Sequence, residues 1–201
     1  ITESGNALAI TVTDTTVAAT ELNTLDSKTT TDLTVASSTI TGLAADVIAA
    51  YAATGSINGL GNEAVILSDT SIDAEVLITL DAFTTGIINA NSVNTITGTA
   101  ADLIAAYAAN EAGTITGLGN EAINITSGTA TTSQANTLAA ATTGIVTATI
   151  SDVDMSTLAG LAEIGNAYSI TITDAFVAAS VLNGLNSKTT VPLTVNLTTT
   201  I

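Results

Sequence analysis

The residues best equipped for chemistry in this sequence are carboxylates, and they recur. Asp14, Asp69 and Asp174 occupy the same place in a repeated motif. Asn62-Glu63, Asn120-Glu121 and Asp152-Val153-Asp154 offer further oxygens. A hard cation prefers such ligands, so Asp14, Asp69, Asp174, Asp152 and Asp154 are candidate Ca²⁺ ligands. The competing role is helix capping, in which an Asp at a strand–helix turn accepts from the free amides of a first helical turn. Neither EF-hand spacing nor a Gly-Gly-x-Gly-x-Asp repeat accompanies these acids. Paired carboxylates also cleave glycosides. Sugar sites need aromatic or basic platforms, however, and the chain has only three Tyr, two Phe, no Trp and two basic residues. The acids also recur with the repeat, as scaffold positions do. The expectation is therefore that the chain is not an enzyme.

Composition narrows the choices further. Without His or Cys there is no Ser-His-Asp triad, no Cys-His dyad, no thiolate zinc site and no disulfide. Lys28 and Lys188 stand against eighteen acidic residues, a formal net charge of −16. No basic patch can neutralise phosphates, which argues against nucleic acid and anionic lipid as partners. The longest apolar stretch, Leu43 to Ala53, contains Asp46 and falls far short of the roughly 20 residues of a membrane span. No charged segment followed by an apolar one opens the sequence, so no signal peptide is expected within it.

The elements that must position these acids come from two alternating motifs. The first runs from Ala9 to Thr30 and recurs over 64–85, 122–143 and 169–190, at offsets of 55, 58 and 47 residues. The Thr pairs 29/30, 84/85, 142/143 and 189/190 mark all four copies, and Ser127 replaces the marker Asp in the third. The second motif spans Thr39 to Ala53 followed by Gly59-Leu-Gly-Asn-Glu-Ala64, and returns over 95–109 and 117–122. A shortened form, Val146 to Asn166, lacks the Ile-Ala-Ala-Tyr segment, which predicts loss of its helix. The region from Ser127 to Ser133 with Asp152 to Ser156 is where the pattern breaks. Above these motifs, Gly5–Val35 matches Gly165–Val195 at a constant offset of 160, with about two thirds of positions identical and both lysines superimposed. The chain reads as one repeat array over 1–201, with cycles 9–63, 64–121, 122–168 and 169–201. The run Thr200-Ile201 looks like the start of another second motif, which suggests a window on a longer array.

Alternating runs at 10–13, 33–35, 65–67, 88–90, 123–125, 146–148, 170–172 and 193–195 predict strands. Helices are expected after them. Ala18, Leu22 and Leu25 share a helical face, as do Asp73, Leu77 and Leu80, then Leu43, Val47 and Ile48, and Leu103, Ile104 and Tyr107. Thr41 and Thr97 are expected N-caps, and Gly-Leu-Gly-Asn at 59–62 and 117–120 an expected helix stop. One such cycle cannot bury its apolar face, but stacked cycles can. The fold expected is α/β: a right-handed parallel solenoid of about eight strand–helix coils. A pure β-solenoid is the alternative, given the abundance of Thr and cycles near 23 residues.

The runs Ile-Thr-Gly-x-Ala-Ala-Asp-[Val/Leu]-Ile-Ala-Ala-Tyr-Ala, Gly-Leu-Gly-Asn-Glu-Ala and Leu-Asn-x-Leu-Asp resemble the repeat regions of very large secreted or cell-surface proteins of cyanobacteria and related bacteria. The resemblance covers most of the chain. It implies an extracellular, non-enzymatic structural role as a fibre, surface layer or adhesin stalk, with calcium as a frequent companion. Independently of the resemblance, a solenoid with uncapped ends exposes strand edges that can pair with another copy, so end-to-end self-association is expected.

Overall fold

The computed structural model describes residues 2–196. In chain order the elements begin with β1 (Ile10–Val12), β2 (Thr16–Ala18), α1 (Ala19–Asp26), β3 (Leu33–Val35), β4 (Thr39–Gly42) and α2 (Ala44–Ala52). Next come β5 (Ile57–Asn58), β6 (Ala64–Leu67), β7 (Ser71–Asp73), α3 (Ala74–Asp81), β8 (Ile88–Asn89), β9 (Thr95–Gly98) and α4 (Ala100–Ala112). The series closes with β10 (Ile115–Thr116), β11 (Ala122–Ile125), α5 (Thr132–Ala141), β12 (Val146–Thr149), α6 (Met155–Leu158), β13 (Ala167–Ser169), β14 (Thr171–Ile172), α7 (Ala179–Asn186) and β15 (Thr194–Val195). The protein is α/β with a repeat-like topology. Seven helices among the described residues set the pure β alternative aside.

Two compact units are distinguished. The first comprises residues 1–93 and 108–118, the second 94–107 and 119–201. In the first unit β1, β3 and β5 form one parallel sheet, and β2, β4, β6, β8 and β10 another. Register aligns Val17, Ile40, Val65, Ile88 and Ile115 in a row across five strands. Each of the five is buried. Removing each such side chain from water contributes roughly 1.5–3 kcal/mol. A ladder of small aliphatics therefore replaces the missing aromatics. The second unit repeats the device with Ile96, Ile123 and Val146 across β9, β11 and β12. There β13 continues the sheet, and small Ala148 lies opposite Tyr168, the largest fully buried side chain among the described residues.

Helices follow strands because the first helical residue is small. Ala19, Ala44, Ala74 and Ala100 open α1 to α4 and are all buried, so backbone packs closely on sheet. All eight expected strands are present. Seven more were not expected, each two to four residues long and three of them led by Thr. Their signal is pairing with a neighbour rather than alternation within themselves. Three local expectations need correction. Thr41 and Thr97 lie inside β4 and β9, and the helices begin three residues later. The shortened motif keeps a helix, α6, cut to four residues. Gly-Leu-Gly-Asn does not stop a helix, because α2 has already ended and β5 intervenes. Instead Gly59 has φ +92°, and a Cβ there would lie 2.3 Å from the carbonyl oxygen of Val35. Only glycine lets the chain pass so close. The expected helix start at Thr200-Ile201 lies outside the described residues.

Candidate functional site

Three sets of polar contacts tie the cycles together, and they account for most of the recurring polar residues. The Thr pairs form the first. Thr29 Oγ1 donates to the Leu8 carbonyl at 2.7 Å and accepts from Thr31 N at 3.1 Å. Thr84 does the same to Glu63 at 2.8 Å and from Gly86 N at 3.0 Å. Thr142 donates to the Glu121 carbonyl at 2.7 Å and Thr189 to that of Tyr168 at 2.7 Å. The second Thr of each pair, at 30, 85, 143 and 190, donates its amide to a carbonyl 24 residues earlier. Each hydroxyl thus clasps one cycle to the preceding one while shaping its own turn. Gly86 and Gly144 follow two of the pairs, where a Cβ would fall 2.1 Å from the Glu63 or Glu121 carbonyl oxygen.

The second set is a buried Glu–Tyr pair in each unit. Glu63 is 1% exposed and accepts through Oε2 from Tyr51 OH at 2.9 Å, Gly61 N at 2.8 Å and Asn62 N at 3.2 Å. Glu121 is 0% exposed and accepts from Tyr107 OH at 2.8 Å and from Gly119 N at 2.6 and 2.8 Å. All these partners are donors, as a buried carboxylate requires, although Glu63 Oε1 is buried without a partner among the described residues. Burial drives the Tyr107 hydroxyl well above its ordinary range, and Glu121 adds to it. Burial does the same to Tyr51, opposed by the Thr84 hydroxyl and reinforced by Glu63. The two acids read from sequence as turn oxygens therefore point inward and hold the turn closed. The clue was available: Tyr and Glu occur together in both full second motifs, and neither stands at its matching place in the shortened one. At the matching place in the other cycles stand Leu8 and Tyr168. Tyr168, pushed up to about 12 by burial and then by Glu163, bonds the Ala135 carbonyl at 3.4 Å.

The third set contains the candidate metal ligands. Asp69 Oδ2 accepts from Ala44 N at 2.8 Å, at the first residue of α2. Asp174 Oδ2 accepts from Met155 N at 2.8 Å, at the first residue of α6. Asp152 Oδ2 accepts from Thr132 N at 2.6 Å, at the first residue of α5. Each carboxylate caps a helix 19 to 25 residues earlier in the chain and supplies an acceptor for the amide of its first residue. Asp154 instead caps its own helix, accepting from Thr157 N at 3.0 Å. The Ser156 hydroxyl, and next the Thr157 amide and hydroxyl, hold the Asp154 carboxyl below the usual carboxylate range. Asp14 is exposed and has no hydrogen-bond partner among the described residues. These contacts are those of caps. No group of three His, Cys, Asp or Glu gathers among the described residues.

The broken copy has a local explanation. Where Ser127 replaces the marker Asp, helix α4 carries its own cap, with Thr99 Oγ1 accepting from Asp102 N at 3.2 Å and donating to the Asp102 carboxylate at 2.6 Å. The residue matching Thr99 in the first copy is Leu43, which cannot cap, and there Asp69 is present. In the same region Thr131 and Gln134 form a reciprocal capping box on α5.

Comparison with protein-family models, with curated proteins and with solved structures gives no match. Among the described residues no helix is long and apolar enough to cross a membrane.

Proposed function

We propose that this chain is a non-enzymatic structural repeat, a right-handed parallel α/β solenoid that serves in an extracellular fibre or surface coat by stacking of its coils. In this reading each helix closes one coil, and β15 opens the coil after α7. The observation that carries it is the direction of the polar contacts. Thr clasps and Asp caps reach from one cycle to the one before it, and the same contacts recur along the chain. Stability is then a sum of neighbour terms, as in solenoids generally. The buried acids support the same reading, because Glu63 and Glu121 are consumed by structure and not presented to a ligand. The net charge of −16 would keep a long array soluble.

Negative-stain electron microscopy of the purified chain at high concentration tests the proposal. Filaments of uniform width are expected. Monomeric rods that bind glycans would instead favour an adhesion module that presents a Thr- and carboxylate-rich face. Calcium has its own test. Because Asp69, Asp152 and Asp174 serve helix amides, the melting temperature should be the same in millimolar calcium and in chelator. A rise of several degrees with calcium would restore a metal role for the carboxylates.

A further inference from the structure

The 160-residue offset matches a covered face of the second unit to an open one beside β1 and α1. In the second unit, residues 141–160 lie against the cycle that begins at Gly165. Strand β12 pairs with β13. The Asp174 carboxylate caps α6 through Met155 N at 2.8 Å, and Lys188 Nζ donates to the Ala162 carbonyl at 2.7 Å. Thr173 N donates to the Val153 carbonyl at 3.0 Å, and Leu158, Val181 and Leu185 line a shared hollow.

Five residues of that cycle have like counterparts near the N-terminus, whereas Glu21 stands where Val181 lines the hollow. Ile170, Ile172, Asp174, Leu185 and Lys188 correspond to Ile10, Val12, Asp14, Leu25 and Lys28. Beside them an open groove of about 490 Å³ runs between β1 and α1. Ile10, Val12, Val17 and Leu25 give it apolar walls, with Asp14 and Glu21 at its polar rim. Leu25 is half-buried where Leu185 is 3% exposed, and Asp14 is exposed where Asp174 is bonded. Neither Asp14 nor the Lys28 ammonium has a hydrogen-bond partner among the described residues.

We propose that this groove is a receiving surface for one strand–helix coil of the Val146–Leu158 kind. Its occupant is an apolar strand leading to a helix whose first amide docks on Asp14. The acidic rim favours such a guest, because a helix N-terminus carries partial positive charge. The proposal rests on the stacking reading above and identifies one of its contact faces.

The test is to attach a copy of residues 141–160 directly before Ile1, which continues the 160-residue register without a gap. Thermal unfolding is then compared for the parent and extended chains, each with and without Asp14→Ala. The extended chain should melt several degrees higher. Asp14→Ala should lower its melting temperature by about 2–4 °C, the shift expected for one cap in a chain of this size, and leave the parent unchanged. Equal melting of parent and extended chains would overturn the proposal, as would an equal effect of Asp14→Ala in both. Microscopy of the parent separates this from the functional reading. Filaments with an extended chain that melts like the parent leave stacking intact and assign the groove elsewhere. A stabilised extended chain whose parent forms no filaments keeps the docking surface and removes the fibre.

Discussion

Gly5–Val35 and Gly165–Val195 are nearly the same sequence placed against opposite neighbours. In the first copy the side toward the following cycle is covered, and Leu22 is fully buried. Its counterpart Leu182 is only half-buried and lines an open groove with Pro192 and Leu193. On the side toward the preceding cycle the order reverses. Ile170 is 1% exposed, whereas Ile10 is half-buried. Tyr168 is buried, whereas Leu8 is 42% exposed. Secondary structure responds as well. Thr16–Ala18 is a strand because β4 lies beside it, while the matching residues 176–178 form none and Phe176 stands 95% exposed. Local propensity is almost constant between the copies. What differs is the presence of a neighbour, so that one sequence has two burial patterns.

The largest effects should follow this asymmetry. Leu22→Ala is expected to cost about 2–4 kcal/mol, and Leu182→Ala about 1 kcal/mol or less, because only the first leaves a cavity in a closed core. On the other face the ranking should invert, with Ile170→Ala costing about 2–4 kcal/mol and Ile10→Ala much less. Urea unfolding of the four variants measures this. Equal losses within either pair would mean that neighbours do not set the burial of the two copies.

A second difference is chemical. Tyr168 replaces Leu8 and carries a phenol raised from 10.0 to about 12. A raised pKa means that the folded chain holds this proton more tightly than the unfolded chain. The contribution is complete below pH 10 and is lost as pH rises toward 12, at up to about 1.4 kcal/mol per pH unit. Tyr168→Phe should flatten part of that loss, followed by circular dichroism between pH 9 and 12. The remainder should come from Tyr51 and Tyr107, which shift in the same direction. The Thr clasps, by contrast, are alike in the two copies. Thr29→Val and Thr189→Val should each lower stability by about 1 kcal/mol, and a difference greater than a factor of two would show that the clasps depend on their neighbours.

How much of this was legible follows from the range of the interactions. Strands 10–12, 33–35 and 146–149 could be read because alternation is a local property. So could the helices at 19–26 and 44–52, with Leu22 and Val47 on their apolar faces. Strands such as Thr16–Ala18 and Ile57–Asn58 could not, since they exist only as partners in a ladder. The helix caps were half legible. An Asp at a strand end was correctly a candidate cap, but the helix it serves lies 19 to 25 residues earlier in the chain. Proximity in sequence therefore suggested Thr41 and Thr97 instead. The burial of Glu63 and Glu121 was hidden because composition treats a Glu beside Gly and Asn as a solvated turn.

The smallest expected effect is also the most discriminating one. Asp174 and Asp14 are the same residue in the same motif, yet only Asp174 has a helix to cap. Asp174→Ala should lower stability by about 1 kcal/mol, the usual loss for an N-cap acceptor. Asp14→Ala should leave the parent chain unchanged, because its carboxylate has no partner to lose. Asp174→Asn separates the two components of the cap. The amide oxygen can still accept from Met155 N, so the part lost is the attraction between a full negative charge and the helix N-terminus, a few tenths of a kcal/mol near the surface and screened by salt. If Asp174→Asn costs as much as Asp174→Ala and the loss vanishes in 1 M salt, the cap works by charge alone. In that case Asp14 would sense an approaching helix through the field before any hydrogen bond forms.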